Sequence, residues 1–140
     1  MSTNTSHYNL VKPAGSETYD ISVQNGNMDK IDAALSANEI SITLDTSIVA
    51  VRSWGVVRVR KVADMLIVYI HGLYTLTTIT NETPVATVNG VSNVPTASVA
   101  IKVDGQTEPG IAMFSGNSLR LINVQNTDKA MYGTIIACLR

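Results

Sequence analysis

The 140-residue chain contains few charges and few aromatic side chains. Only 15% of its residues are charged, against about 25% in typical soluble domains, and ten Lys and Arg nearly balance eleven Asp and Glu. This balance offers no basic field of the kind that holds nucleic acid or an anionic membrane. Aromatic residues make up 5% and hydrophobic residues 45%, so Val, Ile, Leu and Ala must build most of the core, which favours β-sheet.

Disulfides, a membrane span and a secretion signal are also missing. The single cysteine, Cys138, excludes a disulfide within the chain, and its apolar surroundings in the sequence predict a buried, unreactive thiol. No apolar run reaches the roughly 18 residues of a spanning helix. The first ten residues have neither the charged nor the apolar part of a signal peptide. We therefore expect that the protein does not insert into a membrane and that it is synthesised without a signal peptide.

Motifs for catalysis, metals and cofactors are absent from the sequence. His7, His71 and the one cysteine have no metal-ligand spacing, and HExxH, CxxC and GxSxG do not occur. The acidic residues are scattered singly, which does not favour a pair of catalytic carboxylates. The nine glycines form no phosphate-binding loop. We expect no catalytic residue, no metal ligand and no cofactor.

The N-terminal part of the chain is predicted to form an extended arm followed by a short helical neck. Pro13 moves the residue before it out of the helical region, which favours an extended arm over residues 1–26. Residues 25–27 are typical of a helix start, since an asparagine side chain can cap free backbone amides. We expect a helix over residues 27–38, within a neck of residues 27–46.

The neck and the residues before it carry a seam at alternating three- and four-residue spacings, as in a short coiled coil. An isolated helix of this length is marginally stable, so the seam is expected to pack against other copies of the chain. Packing of the stripe on its own domain is the alternative. The seam consists of Ile21, Gln24, Met28, Ile31, Leu35, Asn38 and Ile42.

From residue 47 onward the sequence alternates apolar and polar residues between turn signals, and it indicates no further helix. Asn89-Gly90 and Asp104-Gly105 suit tight turns between antiparallel strands. Residues 65–70 are apolar on both faces and predict a central strand. The pattern predicts a mainly β head over residues 47–140, an antiparallel β-sandwich of jelly-roll or related type. Strands are expected near 47–51, 55–62, 65–74, 85–88, 97–103, 110–114, 118–124 and 131–139.

Two groups of segments resemble a known class of protein. The arm and helix resemble the N-terminal attachment segment of tail and baseplate proteins from phages that infect Gram-positive bacteria, through YNLVKP at 8–13, YDI at 19–21, NGNMDKID at 25–32 and Leu35. The remainder resembles the small β-sandwich heads of phage receptor-binding proteins, through VRK at 59–61, VYI at 68–70, VP at 94–95 and YGTI at 132–135.

This resemblance implies a virion protein of the tail tip or baseplate. Its arm would dock onto other tail or baseplate proteins, its seam residues would form the contacts of a homotrimer, and its heads would bind a host cell-wall saccharide or teichoic acid. Two alternatives stay open. One is a structural tail, collar or baseplate decoration that binds only virion proteins. The other is a small glycan hydrolase or esterase, which release of reducing ends or acyl groups from host envelope would support.

Saccharide sites combine an aromatic surface with a few placed polar groups, and strand-end loops often carry them. Trp54, the only tryptophan, is predicted to begin a strand at a sheet edge, where packing on the neck or a neighbouring subunit is favoured over contact with a ligand. For His71 a strand-end or interface position is the preferred interpretation, and contact with a ligand is the alternative. The candidate receptor contacts are Trp54, His71, Tyr74, Asn117, Arg120 and Asn126.

A small basic stripe lies at Arg58, Arg60 and Lys61. If exposed, it could face the phosphates of a teichoic acid. Pairing with acids across a strand or subunit boundary is the second possibility. An ordinary solvated face is the interpretation we prefer.

Overall fold

The computed structural model of the chain describes residues 3–6, 8–14, 20–36 and 38–139. The chain divides into two compact units, Met1–Ala37 and Asn38–Arg140. Within the described ranges, no helix has both the length and the apolar character needed to cross a membrane. Residues 15–19 of the predicted arm and His7 lie outside the described residues.

The first unit consists of a small hairpin and one helix. Strand β1 (Thr3–Asn4) pairs antiparallel with β2 (Val11–Lys12), and helix α1 spans Ile21–Leu35. The amide of Asn27 on α1 accepts from the Val11 N–H and donates to the Val11 carbonyl, both at 2.9 Å. One helical side chain thus bonds to β2 as a neighbouring strand would, and the arm is folded onto the helix rather than extended throughout.

Helix α1 begins at Ile21 and ends at Leu35, so the predicted range of 27–38 was wrong at both ends. The cap is Asp20, whose carboxylate accepts from the Ser22 N–H at 2.8 Å and from the Ser22 hydroxyl at 2.7 Å. These hydrogen bonds satisfy a free amide of the first turn and lower the pKa of Asp20. Because the cap lies at residue 20, residues 25–27 fall inside the helix.

Five of the seven seam residues lie on α1, and Asn38 and Ile42 do not. No residue of the helix is buried, and Ile21, Met28 and Leu35 are 65%, 58% and 60% exposed. They recur every seven residues and so form one stripe on a straight helix. Among the described residues of its own unit, nothing buries this stripe. Asn38 and Ile42 belong to strands of the second unit, which corrects their assignment to the helical seam.

The second unit is an antiparallel sheet of nine strands that curls into a nearly closed, sandwich-like barrel, as predicted for the head. Along the sheet the order is β3-β5-β6-β11-β8-β9-β10-β7-β4. The strands are β3 (Asn38–Ile40), β4 (Ile42–Leu44), β5 (Val49–Val62), β6 (Met65–Thr75), β7 (Thr83–Val88), β8 (Val94–Val103), β9 (Gly110–Gly116), β10 (Ser118–Ile122) and β11 (Met131–Cys138).

The structure differs from the predicted strands in two places. The segments 47–51 and 55–62 are parts of one long strand, β5, because β6 continues beside both of them. Strands β3 and β4 were assigned to the neck, yet they pair with β5 and β7 at the two ends of the sheet. These strands were missed because each has only three residues, too few for alternation to be recognised.

The core lies between the curled halves of the sheet. Strand β6 lies between β5 and β11, which confirms the predicted central strand. Its residues Leu66, Val68 and Ile70 are at most 1% exposed, and each contributes about 1.5–3 kcal/mol through burial. On β11 the inward position is taken by Ala137, so the next residue, Cys138, faces outward. The prediction of a buried thiol was therefore wrong.

The order of the strands gathers three segments at one end of the head. The loop between β8 and β9 (residues 104–109), the loop between β10 and β11 (residues 123–130) and the last residues of β6 meet there, since Met131 pairs with both Leu73 and Val103. We call this end the rim. The tight turn between β9 and β10 lies at the opposite end, because β9 runs away from the rim.

Candidate functional site

Strand β5 bulges out of the sheet at the rim, over four residues. Four of its residues, 52–55, lie opposite the single residue Gly72 of β6, where the register of the two strands shifts. We call these four residues the β5 bulge. Gly72 has φ +70°, a conformation that favours glycine. Bulges redirect side chains out of the ladder, and here the redirected side chains include an arginine and the only tryptophan.

Three rings meet beside the β5 bulge and form what we call the aromatic platform. The ring centroids of Trp54 and His71 are 5.4 Å apart, those of His71 and Tyr132 5.2 Å, and those of Trp54 and Tyr132 6.4 Å. His71 and Tyr132 are partners across β6 and β11. Trp54 reaches them only because the bulge carries it there. The indole is 56% exposed, so the platform presents aromatic surface to solvent.

Arg52 fastens the bulge to the loop between β10 and β11. Its Nη2 donates to the carbonyl of Asp128 at 2.6 Å and lies 3.0 Å from the Asp128 carboxylate. The guanidinium carbon lies 4.5 Å from the centroid of the Tyr74 ring, within the range of a cation–π contact. One face of the Tyr74 ring is thus covered by Arg52 and is not open to a ligand.

A polar pocket of about 330 Å³ lies between the loops 104–109 and 123–130. Gln106 organises it: its amide donates to the carbonyls of Glu108 at 2.7 Å and Asn123 at 2.9 Å, and accepts from the Gln125 N–H at 3.1 Å. We call it the amide pocket. Its lining offers hydroxyl, carboxylate and amide groups, from Gly105, Gln106, Thr107, Glu108, Gln125 and Asn126.

Tyr132 joins the platform to an acid at the base of the loop 104–109. Its hydroxyl donates to Asp104 at 3.2 Å, and Lys102 lies 3.6 Å from the same carboxylate. Loss of hydration raises the pKa of Tyr132, and the hydrogen bond and charge of Asp104 raise it further. The phenol therefore stays protonated at neutral pH and keeps its place in the platform.

The structure brings together four of the six candidate contacts named from the sequence. Trp54 and His71 touch in the platform, and Tyr74 and Asn126 lie at the same rim. Trp54 does not begin a strand as predicted, because β5 runs through both sides of it. It does lie at an open part of the sheet, since β3 pairs with β5 only at residues 59–61.

The other two candidates lie elsewhere. Asn117 forms the turn between β9 and β10 at the end of the head away from the rim. Arg120 lies within β10, opposite Met113 of β9, and forms an ion pair with Glu82. Neither residue can act together with the aromatic platform on one small ligand.

Sequence reasoning missed most of the polar partners at the rim. Gln106 was not selected because its hydrogen bonds span 17 and 19 residues of sequence. Arg52 was not selected from the sequence, and Tyr132 entered only through the resemblance. The one available signal was the pair of glycines that flank the contact, Gly55 and Gly72, since glycine inside a strand often marks a bulge.

The basic stripe lies on the outer face of the head rather than at the rim. A cleft of about 360 Å³ on that face is lined by Val56, Arg58, Arg60, Ile67 and Tyr69. Arg58 lies 3.5 Å from Glu39, and the two side chains are 52% and 61% exposed. Arg58 thus pairs with an acid across the neighbouring strand β3, which is the second possibility named from the sequence, although an ion pair so exposed contributes little to stability.

The rim offers an aromatic surface and a set of polar groups for contact with a ligand. An exposed aromatic surface beside a pocket of amide, hydroxyl and carboxylate groups is suited to a polar ligand that also has an apolar face. Among the described residues, no group of three or more His, Cys, Asp or Glu side chains could hold a metal ion.

The antiparallel head fold has a counterpart among solved structures. The chain is similar to the head domain of the lactococcal phage bIL170, a receptor-binding domain, with a TM-score of 0.61 and 15% sequence identity. The likeness covers 75% of this chain and 100% of that domain. It confirms the expected resemblance to phage receptor-binding heads at the level of the fold. No family model and no curated protein matches the chain.

Proposed function

We propose that the protein is a phage component that binds a receptor on the host cell, and that the rim of its head binds a cell-surface saccharide. The observation that carries the proposal is Trp54, the only tryptophan, held 56% exposed at an aromatic platform next to the amide pocket. What distinguishes Trp54 from other exposed apolar residues is its contact with His71 and Tyr132, because contiguous exposed patches mark interaction sites, whereas single exposed side chains do not. The fold shared with a phage receptor-binding domain supports the same conclusion.

Binding would combine two kinds of contact. The C–H face of a sugar ring packs on the indole of Trp54, while hydroxyl groups exchange hydrogen bonds with the Thr107 hydroxyl and the Asn126 amide of the pocket. The pocket is already held by the bonds of Gln106, so little side-chain entropy is lost when a ligand enters.

The charges of the rim favour a neutral saccharide over teichoic acid. Arg52 is paired with Asp128, and Lys102 with Asp104, so the positive charge that a phosphate needs is largely compensated. Glu108 in the amide pocket and Lys129 in the loop 123–130 add one charge of each sign, so the rim has no excess of positive charge for a phosphate. Comparing a neutral wall polysaccharide with teichoic acid as ligands tests this assignment directly.

The helix α1 supports a homotrimer in a virion, with each part of the chain in a separate role. Its exposed stripe of Ile21, Met28 and Leu35 needs a partner, and packing against other copies would cover it. Three linked heads would turn weak single contacts into tight attachment. The arm before α1 would dock onto tail or baseplate proteins. Light scattering should give about 45 kDa, three times 15.0 kDa, whereas a stable monomer would contradict this part.

The decisive experiment measures binding of the full-length protein to host cells and to their extracted wall polysaccharide. Trp54→Ala should weaken binding by roughly 10- to 2,000-fold, since an aromatic contact worth about 0.5–1.5 kcal/mol is lost at each of three sites in a trimer. Ile136→Ala is the matched control, because Ile136 is 59% exposed and lies on β11 outside the rim.

The possible results separate the alternatives. Equal loss with both variants would show that exposed apolar surface in general, and not the platform, binds the cells. A wild-type protein that binds neither cells nor polysaccharide but does enter virions would support the structural decoration. Release of reducing ends or acyl groups from the polysaccharide would support the hydrolase or esterase.

A further inference from the structure

The β5 bulge needs an anchor, because its four residues face one residue of β6 and leave the regular ladder. A loop on the surface of a domain samples several conformations unless contacts hold it. Two contacts of the bulge side chains could do so. One is the contact of Trp54 with Gly72, and the other is the contact of Arg52 with Asp128.

The first contact is a direct seat of the indole on the backbone of β6. A β-carbon built on Gly72 would lie 2.8 Å from Cζ3 and 3.2 Å from Cη2 of Trp54. The ring therefore occupies the space that a side chain would need. This seat orients Trp54 toward His71, whose ring it meets edge-on at an interplanar angle of 76°.

The second contact is made by the guanidinium of Arg52, two residues before Trp54. It bonds the Asp128 carbonyl at 2.6 Å, approaches the Asp128 carboxylate at 3.0 Å and covers the Tyr74 ring at 4.5 Å. Asp128 is fixed in turn, since its N–H donates to the Thr75 carbonyl at 2.9 Å. Arg52 is thus connected, through Asp128, to the backbone of Thr75 on β6.

We propose that Arg52 is the positioning residue of the receptor site: through Asp128 it holds the β5 bulge in the conformation that seats Trp54 on Gly72. The same contact ties the platform to the loop 123–130, which also carries Asn126 of the amide pocket. Arg52 therefore sets the spacing between the two halves of the site. Its effect on binding rests on the proposed function, but its effect on Trp54 does not.

The geometry further predicts which part of the contact matters. The carboxylate of Asp128 is 74% exposed, so its ion pair is weak. Nη2 bonds the Asp128 carbonyl while the planar guanidinium lies over the Tyr74 ring, and the ammonium of lysine has no planar group to make both contacts at once. Asp128 has φ +56°, a conformation that asparagine also tolerates. Asp128→Asn should therefore preserve the anchor, and Arg52→Lys should not.

The single tryptophan gives a direct measurement. In a ¹H–¹⁵N spectrum of the full-length protein, the one indole N–H signal reports Trp54. In a ¹H–¹³C spectrum, the α-protons of Gly72 report the ring-current shift of the nearby indole. Both signals should move in Arg52→Ala and Arg52→Lys. They should stay in Asp128→Asn and in Arg60→Lys, the matched control on the same strand. A cooperative thermal unfolding transition shows that a variant is folded. If Arg52→Ala does not fold, Arg52→Lys provides the test.

Polysaccharide binding supplies the second measurement. Arg52→Ala should weaken it on the order of tenfold, the scale of one lost charge-assisted hydrogen bond. Unchanged Trp54 and Gly72 signals in both Arg52 variants would overturn the proposal, and so would an equal change in Asp128→Asn. If the signals move but the wild type binds no polysaccharide, the positioning role stands and the proposed function fails.

Discussion

Replacing Gly72 with alanine probes how closely the β5 bulge is packed on β6. A β-carbon there would lie 2.8 Å from Trp54 and 2.9 Å from the Cα of Gly55. The indole can move aside, but the Gly55 backbone cannot, so overpacking costs about 1–3 kcal/mol. The φ of +70° adds about 1–2 kcal/mol for a residue with a β-carbon. We expect Gly72→Ala to lower the free energy of unfolding by about 2–5 kcal/mol.

Gly90→Ala is the matched control, because Gly90 has φ +76° but no atom within 4 Å of a built β-carbon. It should carry only the conformational cost of about 1–2 kcal/mol. Calorimetry of both variants separates the two terms. At about 4–8 °C per kcal/mol for a domain of this size, Gly72→Ala should lower Tm by at least about 4 °C more than Gly90→Ala. Equal shifts would refute the close packing of the bulge on β6.

Three further outcomes are expected. Gly133→Ala should destabilise the head by about 1–3 kcal/mol in chemical denaturation, because the new methyl group meets the side chain of Ile101. The pKa of Asp20 is lowered in the folded state from its ordinary value of 3.8. The Asp20 cap therefore stabilises α1 fully at a pH above 3.8, and this stabilisation is lost as the pH falls through the lowered pKa of the folded state. Helical circular dichroism should drop on acidification in the wild type and lack this component in Asp20→Ala. Asn27→Ala should speed hydrogen exchange of the Val11 N–H, because this N–H donates to the Asn27 side chain at 2.9 Å. Asn25→Ala should leave that exchange rate unchanged.

Much of the head could be predicted from the sequence because its turns are local. Pairs such as Asn89-Gly90 determine where a strand ends, and Gly90 and Gly105 do have positive φ. The start of α1 was missed for an equally local reason. Asp20, which accepts from the Ser22 N–H, and residues 25–27 both offer cap side chains, and the prediction chose the second. Strands β3 and β4 form through pairing with distant strands, and three residues alone do not indicate that.

The candidate site could be predicted only where a residue type was distinctive. Trp54 and His71 were selected as the only tryptophan and one of two histidines, and the structure brings their rings together. Their relation depends on the register shift opposite Gly72, which follows from the pairing of β5 with β6 rather than from either segment. The amide pocket was out of reach for the same reason, because Gln106 acts through residues of another loop.

The place of β3 and β4 at the two ends of the sheet has a mechanical consequence. They are the first strands after the N-terminal unit, each has three residues, and Ser41 alone separates them. A pulling force applied through the N-terminal arm would reach these two short ladders before any other part of the head. The long ladders of β5, β6 and β11 would be loaded only after them. The sheet would thus yield first at its two end strands, while the strands that carry the aromatic platform remained paired.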